Sequence, residues 1–200
     1  MFITLEGIEG SGKSTLLSGL TQRLGSAGRE VLTTREPGGT PVGDAIRRVV
    51  LVERFHVAPL TEALLMNASR AALVAEVIRP ALAAGKTVLC DRYYDSTLAY
   101  QGYGRGLDLA MLRELCHSAT DGLDPDLTFV LDIDPALSVR RLAGRSKAND
   151  RIDDESPGFF ERARAGFLEL ATREPRMRVL DGSLAPEALL EEAMRCISTS

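Results

Sequence analysis

Short apolar runs alternate along this chain with longer stretches in which apolar residues recur at helical spacing. Phe2–Glu6 is a compact, mostly apolar run, and Ser14–Leu24 after it is amphipathic. Compact apolar runs are typical of strands covered on both faces, and strands that alternate with helices form parallel sheets. We therefore predict an α/β fold with a parallel sheet flanked by helices. The predicted strands are Phe2–Glu6, Val31–Thr33, Thr87–Cys90, Leu127–Asp132 and Arg178–Leu180, and the predicted helices are Ser14–Leu24, Pro59–Ala84, Leu109–Ala119, Pro135–Ala143, Gly158–Thr172 and Pro186–Ile197.

Local signals at the helix ends agree with this pattern. Thr40-Pro41, Asp134-Pro135 and Ser156-Pro157 each place a capping side chain before a proline that suits the first helical position. Gly28 and Gly85 follow two predicted helices, where a left-handed residue commonly ends a helix.

Composition indicates one soluble domain over residues 1–200. The chain is 44% hydrophobic and 26% charged, and its net charge of −4 lacks the basic excess of a nucleic-acid-binding protein. Its apolar runs fall short of the roughly 20 residues that cross a bilayer, and its N-terminus lacks the pattern of a signal peptide. Cys90, Cys116 and Cys196 have no metal-ligand spacing and favour reduced thiols. We therefore expect a cytoplasmic protein with no nucleic-acid or membrane partner.

In a parallel α/β sheet, ligands bind at the edge where the carboxyl ends of the strands meet. Four segments are expected at that edge: Gly7–Ser14, Arg35–Thr40, Asp91–Gln101 and Asp181–Ser183. The candidate site residues are drawn mainly from the first three, which carry glycines, arginines and hydroxyl groups.

The segment Gly7–Ser14 matches the phosphate-binding pattern G-x-x-x-x-G-K-[ST] in full, between a strand and a helix. Its glycines let backbone N–H groups point at phosphate oxygens, and the helix N-terminus adds positive potential. We expect Lys13 to reach the β- and γ-phosphates and Ser14 to bind Mg²⁺; the alternative is a glycine-rich turn with a solvated lysine. The predicted ATP-binding residues are Gly7, Ile8, Glu9, Gly10, Ser11, Gly12, Lys13, Ser14 and Thr15, with Arg141 farther along the chain.

Two further strand ends carry charges that suit a second phosphate. Arg35, on a Pro-Gly-Gly turn, can bind a phosphate bidentately, or it is an ordinary surface arginine. Asp91 can hold Mg²⁺ and Arg92 can neutralise an acceptor phosphate; alternatively, these two neighbours pair with each other.

Hydrogen-bonding groups and an aromatic ring follow Arg92. Ser96, Thr97, Tyr100 and Gln101 suit an acceptor with a base and a sugar, although the tyrosine could equally pack in the core. Arg70 lies in a predicted helix among small apolar residues and needs a partner. Its partner could be a ligand carbonyl group, or the side chain could extend along the surface to reach water, and the sequence favours neither.

The stretch 140–151 carries four arginines and one lysine, although the whole chain is acidic. Its glycine, serine and asparagine are typical of a loop. A mobile basic loop can close over transferring phosphates, exclude water and supply an arginine to the developing charge. We predict a lid at about residues 140–153; the alternative is a solvated basic face.

Four stretches together resemble the bacterial thymidylate kinase family, from Phe2 to about Ser183. The resemblance implies a P-loop NTPase fold with a doubly wound sheet of five parallel strands. It also implies phosphoryl transfer from ATP to dTMP with Mg²⁺, a cytoplasmic role in dTTP synthesis, and a homodimer. The stretches are Leu5–Thr15, Thr34–Thr40, Asp91–Gly102 and Asp150–Asp153.

The resemblance assigns roles by position. Glu9 occupies the acidic phosphate-loop position near the acceptor's sugar and phosphate, and Arg35 and Arg92 correspond to the pair that binds the acceptor phosphate. The phosphate loop has no arginine, so the chain resembles the arrangement in which the lid supplies catalytic arginines, here Arg145 and Arg151. The implied catalytic residues are Lys13, Arg92, Arg145, Arg151 and Glu9; the implied dTMP-binding residues are Glu9, Arg35, Met66, Arg70, Arg92, Ser96, Thr97, Tyr100 and Gln101; the implied metal ligands are Ser14 and Asp91.

The pocket for the acceptor base departs from the family at one position. By resemblance, Arg70 hydrogen-bonds thymine, Thr97 faces the thymine edge, and Tyr100 lies against the deoxyribose. Where the family has a phenylalanine stacked on thymine, this chain has Met66, whose sulfur packs against rings without stacking. Phe55 is an alternative aromatic side chain for this pocket.

Two other functions fit the phosphate loop alone. A deoxynucleoside kinase or another nucleoside monophosphate kinase would prefer a different acceptor. A nucleotide-gated switch would have no acceptor, and would use Asp132 or Asp134 as the aspartate after a distant apolar strand.

Overall fold

The computed structural model describes residues 1–53, 55–144 and 150–198. All five predicted strands are found, with ends that shift by one or two residues in three of them. The strands are β1 (Phe2–Glu6), β2 (Val31–Arg35), β3 (Thr87–Asp91), β4 (Leu127–Asp132) and β5 (Met177–Asp181). They form one sheet in the order β2-β3-β1-β4-β5, which confirms the predicted α/β architecture.

The central strand β1 brings the functional segments together. Leu5 of β1 pairs in register with Asp91 of β3 and with Phe129 of β4, and Asp91 also pairs with Arg35 of β2. Every pairing in the sheet is parallel. The carboxyl ends of the strands therefore lie at one edge, where an α/β sheet binds its ligands.

Helices cover the sheet and connect its strands. Each predicted helix is found, and the long one predicted over Pro59–Ala84 is a continuous helical run in which Val74–Ile78 is π-helical. The helices are α1 (Lys13–Ser26), α2 (Pro41–Arg47), α3 (Pro59–Leu73), α4 (Arg79–Ala83), α5 (Tyr94–Thr97), α6 (Leu109–Thr120), α7 (Pro135–Ala143), α8 (Pro157–Arg173) and α9 (Pro186–Ser198).

Two helices are missing from the sequence prediction. They are α2, which continues as a π-helical segment Arg48–Val52, and α5, which continues as a π-helical segment Leu98–Gly104. The glycines of the second segment indicate a loop when they are read locally. In the fold they let neighbours pack on the backbone, since a Cβ at Gly104 would lie 2.7 Å from the Phe159 ring.

The predicted helix caps are present. The side chains of Thr40, Asp134 and Ser156 accept hydrogen bonds from the backbone N–H groups of Gly43, Ala136 and Phe159, at 2.9, 2.7 and 3.3 Å. Gly28 and Gly85 have φ angles of 82° and 77°. Both follow a helix end in the left-handed conformation that glycine adopts without strain.

Apolar side chains pack on both faces of the sheet. Ile3 and Leu5 pack in one cluster with Leu20 of α1 on one face of the sheet. Phe2 packs in another cluster with Leu73 on the other face. This double burial explains why the strands are apolar throughout. In the described ranges, no helix combines the length and apolar character that a membrane span requires.

Candidate active site

The phosphate loop links the end of β1 to the start of α1. Gly7 has a φ angle of 128°, and a Cβ there would lie 2.5 Å from the Leu131 carbonyl oxygen. Gly12 caps α1 with a φ angle of 103°. Both positions need glycine, because other residues rarely adopt these angles. The loop therefore has the tight backbone that directs N–H groups toward an anion.

Lys13 is buried inside this loop. Its Nζ donates hydrogen bonds to the carbonyl oxygens of Gly7 and Ile8, both at 2.9 Å, and to Ser11 Oγ at 3.3 Å. Burial, with a contribution from the nearby Arg92 charge, lowers the pKa of Lys13 to about 8. A phosphate anion beside the ammonium group would offset that effect.

Helix α7 closes over the phosphate loop. Ser138 Oγ donates to the Glu9 carbonyl oxygen at 2.6 Å, and Arg141 Nη1 donates to the carbonyl oxygens of Gly10 and Gly182 at 3.1 and 2.9 Å. Arg141 thus lies against the phosphate loop, and its ATP-binding role stays a prediction. Ser138 was missed, because an isolated serine in a helix carries no signal in the sequence.

Three predicted acceptor residues, Glu9, Arg92 and Tyr100, form a cluster that is largely shielded from water. Arg92 Nη2 donates to Glu9 Oε1 at 2.6 Å, and the Tyr100 hydroxyl donates to Glu9 Oε2 at 2.7 Å. The Arg92 guanidinium also lies 5.0 Å from the centre of the Tyr100 ring. Tyr100 therefore packs in the core and lines the site at the same time. The ion pair of Arg92 is made with Glu9, not with the neighbouring Asp91.

The backbone at Arg92 is held in an unusual conformation. Its φ angle is 72°, which is uncommon for a residue with a side chain. The N–H group of Tyr93 donates to the buried carboxylate of Glu6 at 2.7 Å, and Ser96 Oγ donates to the same carboxylate at 2.5 Å. Burial, together with the nearby Asp95 charge, raises the pKa of Glu6 to about 8. Glu6 was missed because its position at a strand end resembles that of any last strand residue.

Arg70 does not extend to water, since it is only 2% exposed. Its Nε donates to Glu36 Oε2 at 2.8 Å and its Nη1 donates to Asn67 Oδ1 at 2.8 Å. The partner that the sequence required is therefore Glu36, a residue of the stretch Thr34–Thr40 that the sequence does not mark as functional. Burial raises the pKa of Glu36 to about 6, against the opposing charge of Arg70. Glu36 Oε1 has no hydrogen-bond partner among the described residues.

Two arginines lie at the rim of the site. The Arg35 side chain is 60% exposed and lies 3.8 Å from Asp44 Oδ1. Arg47, which the sequence prediction left out, donates to the Pro37 carbonyl oxygen at 3.0 Å. Both side chains can meet the outer oxygens of a bound phosphate group.

The residues predicted to hold Mg²⁺ fit that ion. Asp91 Oδ1 is buried and has no hydrogen-bond partner among the described residues. Ser14 lines the same cleft. Over residues 1–53, 55–144 and 150–198, no three acidic, histidine or cysteine side chains form a metal cage. One carboxylate and one hydroxyl suit Mg²⁺, which keeps water and substrate phosphate oxygens as its other ligands.

One cleft of about 580 Å³ unites these parts, a size typical of small-molecule sites. Met66 is partly buried there, whereas Phe55 is exposed and is absent from the described lining. The predicted residues that line the cleft are Glu9, Gly10, Ser11, Gly12, Lys13, Ser14, Thr15, Arg35, Met66, Arg70, Asp91, Arg92, Ser96, Thr97, Tyr100, Gln101 and Arg141.

The lid is described only in part. Arg145 lies outside the described residues. Arg151 Nη2 pairs with Glu62, and its Nε donates to the Val50 carbonyl oxygen at 2.8 Å. Arg151 is therefore absent from the described lining of the cleft, although its neighbours Asp150 and Ile152 belong to it. The catalytic roles of both arginines stay predictions.

The aspartates that a nucleotide switch would use have structural partners. Asp132 accepts two hydrogen bonds from Arg164, at 2.6 and 2.9 Å. Asp134 caps helix α7 through the Ala136 N–H group. Neither contact favours the role of a metal-binding switch residue.

Comparisons with known proteins agree with the geometry. The family model described as Thymidylate kinase matches residues 5–193. The chain is 52% identical over 199 residues to a thymidylate kinase of Deinococcus radiodurans, covering 99% of this chain and 96% of that protein. It is 50% identical over 183 residues to a thymidylate kinase of Chlorobium luteolum, covering 88% and 86%.

A solved structure shows the same fold. The crystal structure of thymidylate kinase from Ehrlichia chaffeensis superposes with a TM-score of 0.80 at 32% identity and covers 98% of each chain. The phosphate loop, the buried acceptor pocket and these full-length similarities lead to one conclusion. This chain belongs to the thymidylate kinase family.

Proposed function

We propose that this chain transfers the γ-phosphoryl group of ATP to the phosphate of dTMP, giving ADP and dTDP for dTTP synthesis. The observation that carries the proposal is the shared cleft. A phosphate loop forms one end, and a buried pocket with Arg70, Thr97 and Tyr100 forms the other. The two substrates therefore meet at the carboxyl edge of β1.

The donor half is built from the loop and α7. Backbone N–H groups of Gly10–Ser14 surround the phosphates, and Lys13 meets the β- and γ-phosphates. Arg141 braces the loop through the Gly10 carbonyl oxygen. Mg²⁺ would be held by Ser14 and Asp91, and when bound it would neutralise charge on the donor phosphates.

The acceptor half places a monophosphate opposite the donor. Arg35 and Arg92 bind its phosphate group, and Glu9 fixes Arg92 through their ion pair at 2.6 Å. Tyr100 lies against the deoxyribose, and Arg70, Thr97 and Met66 surround the base. Ser96 supports Arg92 through a hydrogen bond of 3.0 Å, and Gln101 completes the wall of the pocket.

The reaction needs positioning and positive charge more than acid or base groups. The second pKa of a phosphate monoester is about 6, so its oxygen is already largely ionised at neutral pH. That oxygen attacks the γ-phosphorus in line while Lys13 and Arg92 balance the charge of the transferring group. The lid, at about residues 140–153, excludes water and brings Arg145 to the phosphates.

An acceptor panel tests the proposed function. ADP release is measured with ATP, Mg²⁺ and each nucleoside monophosphate, with thymidine as a further acceptor. We expect the highest kcat/KM with dTMP, a large loss in Arg92→Ala, and wild-type rates in the surface control Arg23→Ala. Preference for thymidine or for a monophosphate without thymine would contradict the proposal.

We further propose a cytoplasmic homodimer. The reaction is placed in the cytoplasm because ATP is abundant there. Leu60 and Leu64 are 46% and 49% exposed, and their spacing puts them one turn apart on the same face of α3. Exposed apolar side chains on one face suit a contact between copies. Sedimentation of the wild type at the 21.6 kDa mass of one chain would contradict this proposal.

A further inference from the structure

A buried carboxylate, Glu62 in the first turn of α3, joins the acceptor pocket to the C-terminal end of the lid segment. Its side chain is fully buried. It accepts hydrogen bonds from Gln101 Nε2 at 2.7 Å and from Arg105 Nε at 2.9 Å. Arg151 Nη2 donates to its other oxygen. A buried carboxylate with this many donors fixes the position of each of them.

The donors come from different parts of the chain. Gln101 belongs to the helical turn that also carries Tyr100, so it lies in the acceptor wall. Arg105 follows the same turn and pairs with Glu155 beyond the lid at 2.7 Å. Arg151 lies near the C-terminal end of the lid segment, about residues 140–153. Glu62 is thus the point where the acceptor wall and the base of the lid meet.

Several contacts hold Arg151 in this place. Its N–H group donates to the Leu51 carbonyl oxygen at 2.9 Å, and its Nε donates to the Val50 carbonyl oxygen at 2.8 Å. The next residue, Ile152, is 6% exposed and packs in the largest apolar cluster. Moving the Arg151 side chain to the phosphates would break these side-chain contacts and remove a cation from the buried carboxylate.

The charges support a permanent anchor. Burial alone would raise the pKa of Glu62, but hydrogen bonds from Arg105 and Arg151 outweigh it and hold the pKa below its ordinary value. Two carboxylates, Glu62 and Glu155, face two guanidinium groups. Loss of either arginine would leave a buried charge without its full set of partners, which such sites tolerate poorly.

We propose, on the basis that the chain phosphorylates dTMP, that Glu62 and Arg151 form a positioning pair that fixes the base of the lid to the acceptor pocket. Arg151 then acts through Glu62 and does not touch the transferring phosphoryl group. The pair holds the acceptor wall and residues 150–155 in one fixed arrangement, so that a change at either partner is felt at the bound acceptor.

A double-mutant cycle tests the pair in the full-length protein. Glu62→Gln, Arg151→Gln and the double variant are compared by kcat and by separate KM values for dTMP and ATP. We expect each single change to lower kcat about 10- to 100-fold and to raise the KM for dTMP, since misplaced groups cost rates of that order. The double variant should be within about twofold of the slower single variant, because one interaction is lost in all three.

A matched control and a structural readout complete the experiment. Glu76→Gln makes the same change at an exposed position beyond α3 and should leave both constants at wild-type values. Hydrogen exchange at residues 150–155 should become faster in Glu62→Gln, because the anchor of the Arg151 backbone is lost. The proposal would be overturned if the kcat loss in the double variant equalled the product of the two single losses. Hydrogen exchange at residues 150–155 that is the same in Glu62→Gln and in the wild type would overturn it too. An inactive wild type would instead refute the proposed function.

Arg151→Gln alone decides the matter if Glu62→Gln does not fold. An anchor predicts a raised KM for dTMP with an unchanged KM for ATP, and faster exchange in the helical turn Leu98–Gly104. A group that touches the phosphoryl predicts a loss in kcat alone, and that result would overturn the positioning role.

Discussion

Two charged residues of the site, Lys13 and Glu6, are buried, and burial shifts their pKa values. Lys13 belongs to the phosphate loop and Glu6 ends the strand before it, and burial shifts the pKa of each to about 8, downward for Lys13 and upward for Glu6. Arg92 pairs with Glu9 at 2.6 Å in the same site. Burial therefore disfavours the charged form of Lys13, and a bound anion such as phosphate would favour it again.

Replacing Glu6 by Gln should change how stability depends on pH. The pKa of Glu6 rises from 4.5 to about 8 on folding, so the folded chain binds a proton more tightly than the unfolded chain. The stabilisation that this proton provides is complete below pH 4.5, and it is lost as the pH rises through about 8. The Glu6→Gln variant does not lose this stabilisation. As the pH rises through this interval, its free energy of unfolding should therefore increase by a few kcal/mol relative to that of the wild type.

Urea unfolding of both proteins at several pH values measures this difference. A surface change, Glu76→Gln, serves as the control, because that side chain is exposed and should follow the wild type. A Glu6→Gln curve parallel to the wild-type curve would show that Glu6 does not titrate in this interval.

Replacing Met66 by Phe should tighten dTMP binding. Met66 lines the cleft beside Arg70, where an aromatic ring could stack on the base. Stacking adds about 0.5–1.5 kcal/mol, which corresponds to a gain in affinity of up to about tenfold. Calorimetric titration with dTMP measures the dissociation constant, and Met111→Phe, on α6 outside the described cleft lining, is the matched control. An unchanged or weaker affinity in Met66→Phe would show that this position does not face the base.

At the scale of elements, the strands and most helices follow from local pattern, and the exceptions have physical causes. The five strands can be predicted from the sequence because helices cover both faces of the sheet, which makes the strands apolar. Helix α2 was missed although the Thr40 cap was recognised, because a helix of seven residues gives little periodicity. The segment Leu98–Gly104 was missed because its glycines allow close packing of α6 and α8 and do not reverse the chain.

A pair of glycine substitutions tests that explanation. Gly104→Ala should destabilise the protein by about 1–3 kcal/mol, because a Cβ would lie 2.7 Å from the Phe159 ring. Gly25→Ala, in helix α1 with no atom within 4 Å of a Cβ, should stabilise it by about 0.5–1 kcal/mol. Thermal unfolding measures both. Equal effects of the two substitutions would contradict the packing role of Gly104.

At the scale of the whole molecule, the sequence predicts the contents of the cleft better than the contacts that hold it. Motif positions such as Lys13 and Arg92 can be found because phosphate chemistry restricts their residue type and spacing. Their partners cannot, because Glu36 meets Arg70 across 34 positions and Glu62 meets Arg151 across 89. Such contacts depend on tertiary packing, and local patterns carry no information about them.

The fate of the γ-phosphoryl group tests the central claim most directly. The chain is incubated with Mg²⁺ and ATP labelled at the γ-phosphorus, with and without dTMP, and the labelled products are separated. The account predicts that label moves to dTDP when dTMP is present and that little inorganic phosphate forms without it. Release of labelled phosphate at the same rate with and without dTMP would contradict a cleft that joins the two nucleotides.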